Sequence, residues 1–470
     1  MRKTKIIATI GPASESEEMI RKLALAGMNV ARLNFSHGTY DQHRTKIERI
    51  KKVREELDLP IALMLDTKWP EYRIGSFKNG KVHLNEGDVF SFTSETIDGD
   101  ETRVSVNYSD LPKELSIGDK ILLNNGLMSF EVTDVSGNDI ITTVVVGGEL
   151  SNKKSMSFPG KVLKQVYLSE QDKSDLLFGI EQGVDFVACS FVSVKQDILD
   201  IRNFLDENGG EKIELIAKIE NQSGCDNIEE ICDVCNGVMV ARGDMGVEIS
   251  LEKLPAIQKE LITKCRMLGK RVITATEMLE SMIHNPRPTR AEASDVANAV
   301  YDGTSAVMLS GETAAGAYPE ESVRMMSSIC QSTEENINYK RRFHEHAFLI
   351  QDEVDAISHS TCSMAIDLNA RTIVASSLSG TTARMVSRFR PPMDIIGLTT
   401  SEETRRKLAL SWGVIPVSAE LYPSTDVLFF AAKKTAQSIF KLNKGDKIVI
   451  TGGVTTGAPG NTSLIKIETL

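Results

Sequence analysis

A lysine and two carboxylates at the ends of two apolar runs define the chemistry available to this sequence. Residues 213–220 read I-E-L-I-A-K-I-E and close on Lys218 and Glu220; residues 237–244 read G-V-M-V-A-R-G-D and close on Arg242, Gly243 and Asp244. Short apolar runs bounded by turn signals read as core strands. Lys218 and Glu220 are two residues apart, so on a strand they share a face. Buried charge needs a partner: these groups need one another, a metal or an anionic ligand, and the pattern suits all three together. Glu220 and Asp244 on neighbouring strands suit one hard divalent cation, because Mg²⁺ takes one or two carboxylates and completes its shell with substrate oxygens and water. Lys218, Arg32 and Arg73 add positive charge around it. A metal ringed by cations matches phosphoryl transfer, whose transition state spreads negative charge over oxygens that must be positioned and neutralised. Asn34, Ser36, Asp66 and Thr67 offer oxygens at two further strand ends, suited to a second, monovalent cation. Gly243 lets the backbone approach a ligand closely, and residues Met245 to Ile249 open a turn whose N–H groups suit a carboxylate.

Each of these residues also has a plainer reading. Lys218 and Glu220 can form a structural ion pair, Asp66 can cap the chain, Arg73 can be a solvated hinge residue and Thr276 a core hydroxyl. What favours the chemical reading is the set of elements that would carry them. Strand and helix patterns alternate from K-T-K-I-I-A-T-I through N-V-A-R-L-N-F to P-I-A-L-M-L-D, then stop. Short alternating strands and N-G, E-G-D and S-G-N turns run from Glu71 to about Gly160, the pattern of a small all-β domain. Alternation resumes after about Leu168 and completes eight strand-helix units, which predicts a (β/α)8 barrel with a small β-barrel domain inserted after its third strand. Active sites of such barrels lie at the C-terminal ends of the strands. Here those ends carry Arg32 and Asn34, Asp66 and Thr67, Ser190, Lys218 and Glu220, Asp244, Thr276, and Ser310 with Glu312. From about Asn338 a basic linker leads to four further strands alternating with helices, an open α/β domain. Its segment Ser376 to Arg384, S-S-L-S-G-T-T-A-R, is a strand, a hydroxyl-rich loop and a helix start, which can hold a phosphate or serve as a plain cap. The run V-T-T-G-A-P-G-N-T-S beyond residue 453 is placed as a lid near it.

Bulk properties narrow the partners. The 470 residues favour two or more domains, and 41% hydrophobic with 25% charged residues is ordinary for a globular protein. A net charge of −11 argues against nucleic acid and against an anionic membrane surface, so an anionic substrate must meet a local cluster of cations. No apolar run reaches the length of a membrane span. The N-terminus reads as a strand rather than a signal peptide, which makes a cytoplasmic location the default. Seven scattered cysteines do not form a disulfide framework. Cys232 and Cys235 form a C-x-x-C, but without a second pair or a nearby histidine they read as helix thiols.

Over nearly its whole length the sequence resembles the pyruvate kinase family. The resemblance rests on K-T-K-I-I-A-T-I-G-P-A-S, M-N-V-A-R-L-N-F-S-H-G, L-D-T-K-x-P-E, I-A-K-I-E-N-Q, M-V-A-R-G-D-M-G-V-E-I, N-P-R-P-T-R-A-E-A-S-D-V-A-N-A-V and M-L-S-G-E-T-A-A-G. It implies a barrel catalytic domain over 1–70 and 164–337, a β lid domain over 71–163 and an effector-type α/β domain over 338–470, assembled as a homotetramer. It implies transfer of the phosphoryl group of phosphoenolpyruvate to ADP, followed by protonation of enolpyruvate, with Mg²⁺ (or Mn²⁺) and K⁺ as cofactors. Lys218 corresponds to the lysine that stabilises the transferring group, and Glu220 and Asp244 to the Mg²⁺ ligands. Arg32, Lys218, Gly243, Asp244 and Thr276 would hold the phosphoenolpyruvate, Thr276 also lying near the enolate carbon. Arg32 and Arg73 would contact phosphates, and Asn34, Ser36, His37, Arg73 and Lys154 would face the nucleotide. Asn34, Ser36, Asp66 and Thr67 correspond to the K⁺ site, and Glu71 to the glutamate that accompanies K⁺ dependence. Ser377, Ser379, Gly380, Thr381 and Thr382 would bind a sugar-phosphate effector. The sequence departs from the family pattern at Trp69 and Tyr72 in D-T-K-W-P-E-Y-R, at Asn124 and Asn125, at Glu277 and at Ser305. Residues alone also leave open an Mg²⁺-dependent enolate lyase or aldolase, and a non-catalytic effector sensor.

Overall fold

The computed structural model describes residues 1–68, 72–124, 126–161, 163–164, 167–345, 348–453 and 462–470. Eight parallel strands close into a barrel: Lys5–Thr9, Val30–Asn34, Ala62–Asp66, Phe186–Cys189, Glu214–Ile219, Gly237–Ala241, Arg271–Ala275 and Ala306–Leu309. Each is buried along nearly its whole length, as expected of strands covered on one face by helices and packed against each other on the other. Ile7, Val30, Met64, Phe186, Ile216, Met239, Ile273 and Met308 fill the interior. Alternate residues such as Ile6, Leu33, Leu65, Leu215 and Val240 point outward to the helices.

Local sequence sets where the surrounding helices begin and end. Ser16 accepts from the Met19 N–H to start the helix Glu17–Ala26, and Gly27, at φ +119°, ends it in the left-handed region. Reciprocal caps formed by Thr39 with Gln42, Ser169 with Asp172, and Thr289 with Glu292 start the helices Tyr40–Glu56, Glu170–Gln182 and Arg290–Asp302. Each cap satisfies N–H groups that would otherwise have no partner and is worth about 1 kcal/mol. The helices therefore start at fixed points relative to the strand ends.

Between the third and fourth barrel strands the chain makes a six-stranded sheet and a separate two-stranded sheet, with a core of its own around Phe90, Phe92 and Phe130. The expected small β-barrel thus takes the form of two sheets. The insertion also carries the short strands Gly148–Ser151 and Met156–Ser157 and the short helix Leu111–Glu114.

The last segment is a five-stranded sheet ordered Val414–Ser418, Asp394–Thr399, Thr372–Ser376, Lys447–Gly452 and Leu464–Thr469, the last strand antiparallel. Periodicity brings out four of these five strands. It seals the N-terminal end of the barrel: Leu410 joins the interior cluster, the Lys5 ammonium donates to Val414 O at 2.7 Å, and Arg271 Nε donates to Ser411 Oγ at 3.2 Å. Ser305 lies at this sealed end, accepting from the Val272 N–H and from Arg390, so that departure from the family pattern is far along the strand from the rim. The opposite rim stays open. No helix among the described residues is long and apolar enough to cross a membrane.

Candidate active site

Strand register brings the predicted residues to one rim. Asn34 pairs with Asp66, Asp66 with Ala188, and Cys189 with Ala217, the residue before Lys218, so the ends of the second, third, fourth and fifth strands lie side by side. A continuous chain of charge runs across them. Arg32 Nε donates to Asp66 Oδ2 at 2.6 Å, and Arg32 Nη1 to Thr9 Oγ1 at 2.9 Å. The Lys218 ammonium lies 3.1 Å from Asp66 Oδ1 and 2.9 Å from Glu220 Oε1, and donates to Ser190 Oγ at 2.7 Å. Ser190 Oγ donates in turn to Thr67 O at 2.9 Å. The Phe191 N–H reaches Glu220 Oε2 at 2.5 Å.

The plainer reading of Lys218 and Glu220 as an ion pair is therefore correct for this state and also incomplete. Asp66 is no chain cap: it bridges two cations. Burial opposes its charge, but Arg32 and Lys218 outweigh that and hold its carboxyl below the ordinary range. Lys218 is also buried, which disfavours its charge; Asp66, then Glu220, overcome this and raise its pKa, so it stays an ammonium. Glu220, 0% exposed, is pushed up to about 7, first by burial and then by the neighbouring Asp244 against the pull of Lys218. Two carboxylates that press on each other in this way suit a shared divalent cation. Among the described residues no cluster of three or more His, Cys, Asp or Glu could hold a metal, and Mg²⁺ needs no such cluster.

Across the rim, Thr276 and Glu277 follow the seventh strand with φ of +69° and +52°. A β-branched residue rarely adopts the left-handed region, and each such residue costs about 1–3 kcal/mol, strain that gathers at functional sites. The Thr276 hydroxyl accepts from the Gly243 N–H at 2.7 Å and donates to Ala275 O at 2.6 Å. Thr276 is thus tied to the Gly243–Asp244 backbone and is no core hydroxyl. The turn predicted after Met245 is helical: Arg242–Glu248 forms two turns with Asp244 exposed in the first.

Not every predicted residue joins this cluster. Asn34 Oδ1 accepts from the Ser36 N–H at 3.0 Å, and the His37 carbonyl lies 2.9 Å from His43 Nε2, so this loop sits beside Asp66 at the second strand end. Arg73 donates from Nη1 to Lys153 O at 2.7 Å, and the Ile74 N–H donates to Lys154 O at 3.0 Å; both basic residues belong structurally to the inserted segment. Glu312 is fully buried and holds loop backbone instead, accepting from the Leu279 N–H at 3.0 Å and the Ser310 N–H at 2.7 Å. Ser377, Ser379, Gly380, Thr381 and Thr382 form a turn at the start of the helix Thr381–Arg388; the Thr382 N–H donates to Ser377 Oγ at 3.3 Å and Gly380 has φ +80°. Trp69, Glu71, Asn125 and the Gly-rich run 454–461 lie outside the described residues. Asn124 occupies the left-handed region at φ +53° in a turn. All seven cysteines are free thiols; Cys232 lies in the helix Ile228–Val234 and Cys235 caps it. Sequence reading placed Ser190 and Arg242 at strand ends but gave neither a role; Ser190 receives the Lys218 ammonium, and the Arg242 guanidinium runs beneath the Thr276 turn. Their positions at strand ends were the available signal.

The chain is similar to known proteins along its whole length. A family model described as the pyruvate kinase barrel domain matches residues 1–323, and one described as the pyruvate kinase alpha/beta domain matches residues 355–468. The chain is 49% identical over 471 aligned positions to a pyruvate kinase of Staphylococcus aureus (strain MRSA252), covering all of this chain and 80% of that protein. Identity and coverage are the same for a pyruvate kinase of Staphylococcus epidermidis (strain ATCC 12228 / FDA PCI 1200). A crystal structure of a pyruvate kinase from Cryptosporidium parvum superposes with a TM-score of 0.95 at 36% identity, covering 100% of this chain and 96% of that one.

Proposed function

This chain belongs to the pyruvate kinase family, and from that premise we propose which of its residues carry the reaction. It is a phosphotransferase that moves the phosphoryl group of phosphoenolpyruvate to ADP, giving pyruvate and ATP. The observation that carries the residue assignment is the Arg32–Asp66–Lys218–Glu220 chain across one rim.

Arg32 and Lys218 neutralise and orient the phosphoryl oxygens. Asp66, bonded to both, holds the two cations at a fixed spacing. The Thr276 hydroxyl with the Gly243 and Asp244 backbone receives the substrate carboxylate. The bond between phosphorus and the enol oxygen breaks as a bond to the ADP terminal oxygen forms. The enolate left behind gains a proton at its methylene carbon on the Thr276 side, with water as the ultimate source. Glu220 and Asp244 would hold a divalent cation, Mg²⁺ or Mn²⁺, which when bound neutralises phosphate charge. Asn34, Ser36, Asp66 and Thr67 would hold K⁺. His37, Arg73 and Lys154 face the nucleotide, Arg73 and Lys154 from the inserted lid domain. The division into a barrel domain (1–70 and 164–337), a lid domain (71–163) and an effector domain (338–470) belongs to the same reading. So do a cytoplasmic homotetramer and a sugar-phosphate effector at Ser377, Ser379, Gly380, Thr381 and Thr382.

The test is pyruvate formation from phosphoenolpyruvate and ADP with Mg²⁺ and K⁺. Turnover is expected with both cations, with near-complete loss on chelating the divalent ion and restoration on adding it back. No pyruvate above background in the complete mixture would defeat this reading.

A further inference from the structure

We propose that Arg242 is a positioning residue of this reaction, holding the Thr276–Glu277 turn so that the Thr276 hydroxyl stays locked to the Gly243 N–H. The inference rests on the function proposed above. The guanidinium lies under the turn and meets it at four successive residues. Nε donates to Ala275 O at 3.2 Å, and Nη2 to Thr276 O at 2.6 Å, to Glu277 O at 3.2 Å and to Met278 Sδ at 3.0 Å. The remaining nitrogen is anchored on the helix Arg290–Asp302 by Asp295 at 2.7 Å, with Gln258 Oε1 at 3.3 Å. Its side chain is only 14% exposed.

Two consecutive non-glycine residues in the left-handed region do not persist unless their surroundings over-determine them. Two devices do so here. Glu312 holds the far end through the Leu279 N–H, and Arg242 holds the near end through the carbonyls. Arg242 has a second hold on the same point, because the next residue is Gly243, whose N–H donates to Thr276 Oγ1. One side chain therefore fixes both halves of the pocket assigned to the substrate carboxylate. A planar fork with five donors suits several carbonyls at once, and an ammonium does not reproduce it.

The test uses the full-length enzyme with Arg242→Ala, Arg242→Lys and Asp295→Asn. Three quantities are measured: steady-state kinetics with each substrate varied, exchange of pyruvate methyl hydrogens for solvent deuterium, and thermal unfolding. Loss of alignment predicts that Arg242→Ala falls by about 10²-fold in kcat/KM for phosphoenolpyruvate. The exchange rate should fall with it, while KM for ADP stays within about twofold, and Arg242→Lys should recover little. Added methylguanidinium should restore part of the Arg242→Ala rate and leave the unsubstituted enzyme unchanged. If kcat/KM for phosphoenolpyruvate stays within about twofold, or if both substrates are affected equally without rescue, the proposal is overturned. Should Arg242→Ala fail to fold, Asp295→Asn decides: it leaves the guanidinium in place without its anchor, and unchanged phosphoenolpyruvate kinetics would overturn the proposal. Absence of turnover in the unsubstituted enzyme would instead sink the functional reading itself.

Discussion

Lys218 has three oxygen partners before any substrate arrives, and that is the main physical constraint on what it can do. An ammonium paired with Asp66 and Glu220 is kept charged, but it can serve a phosphoryl group only if its bonds are easily shared. Lys218→Met is expected to lower turnover by several orders of magnitude while leaving phosphoenolpyruvate binding within about tenfold, because the loss falls on the transition state. Steady-state kinetics with direct binding measurements check this; unchanged turnover would remove Lys218 from its role. The placement of Lys218, Glu220 and Asp244 close together was legible in the sequence because each charge ends an apolar run. The role of Asp66 was not. Seeing it as a bridge between Arg32 and Lys218 requires the register of neighbouring strands, which short apolar runs do not specify. Arg242 was harder still: its partners lie 16 to 53 residues further on, and the Thr276–Glu277 turn contradicts the local preference of both residues.

At the level of elements, the short helix Arg242–Glu248 joins the rim to the inserted segment. Asp244 lies in its first turn, and Glu248 at its last residue accepts from the Phe158 N–H of the insertion. Burial pushes the Glu248 carboxyl up to about 7, only partly offset by that hydrogen bond. The unfolded chain releases this proton near the ordinary glutamate value, so between about 4.5 and 7 the folded protein holds more protons than the unfolded. The Glu248 contribution to stability is therefore fully present below that window and is lost as pH rises through it. Glu248→Gln is expected to remove this part of the pH dependence and to raise Tm relative to the parent at pH 8 but not at pH 4.5. Parallel melting curves across that range decide; identical slopes would show Glu248 to be irrelevant. Capping pairs such as Thr289 with Glu292 are local signals, since they depend on residues three apart. The strand Leu464–Thr469 was not legible: it is an edge strand whose side chains are largely in contact with solvent, so its apolar pattern is weak.

At the scale of the whole molecule, the two ends of the barrel do different work. The C-terminal segment closes the N-terminal end with Leu410, Ser411 and Val414, and the rim is left to the chemistry. Leu410→Ala is expected to cost about 2–5 kcal/mol, the usual range for truncating a buried leucine. Turnover at low temperature should be unaffected, because the residue lies at the opposite end from the rim. Chemical denaturation measures the first and an assay at reduced temperature the second; a stable variant would mean that the junction is not cooperative with the barrel. The inserted segment has a different mechanical situation. It leaves the barrel after the strand Ala62–Asp66 and returns before the strand Phe186–Cys189, and these two strands are neighbours. It hangs like a door with both hinges on one jamb. At that jamb stand Asp66 and Ser190, two of the three residues that contact the Lys218 ammonium, with Ser190 Oγ donating to Thr67 O. A change in the spacing of those two strand ends would therefore act directly on two of the lysine's three contacts.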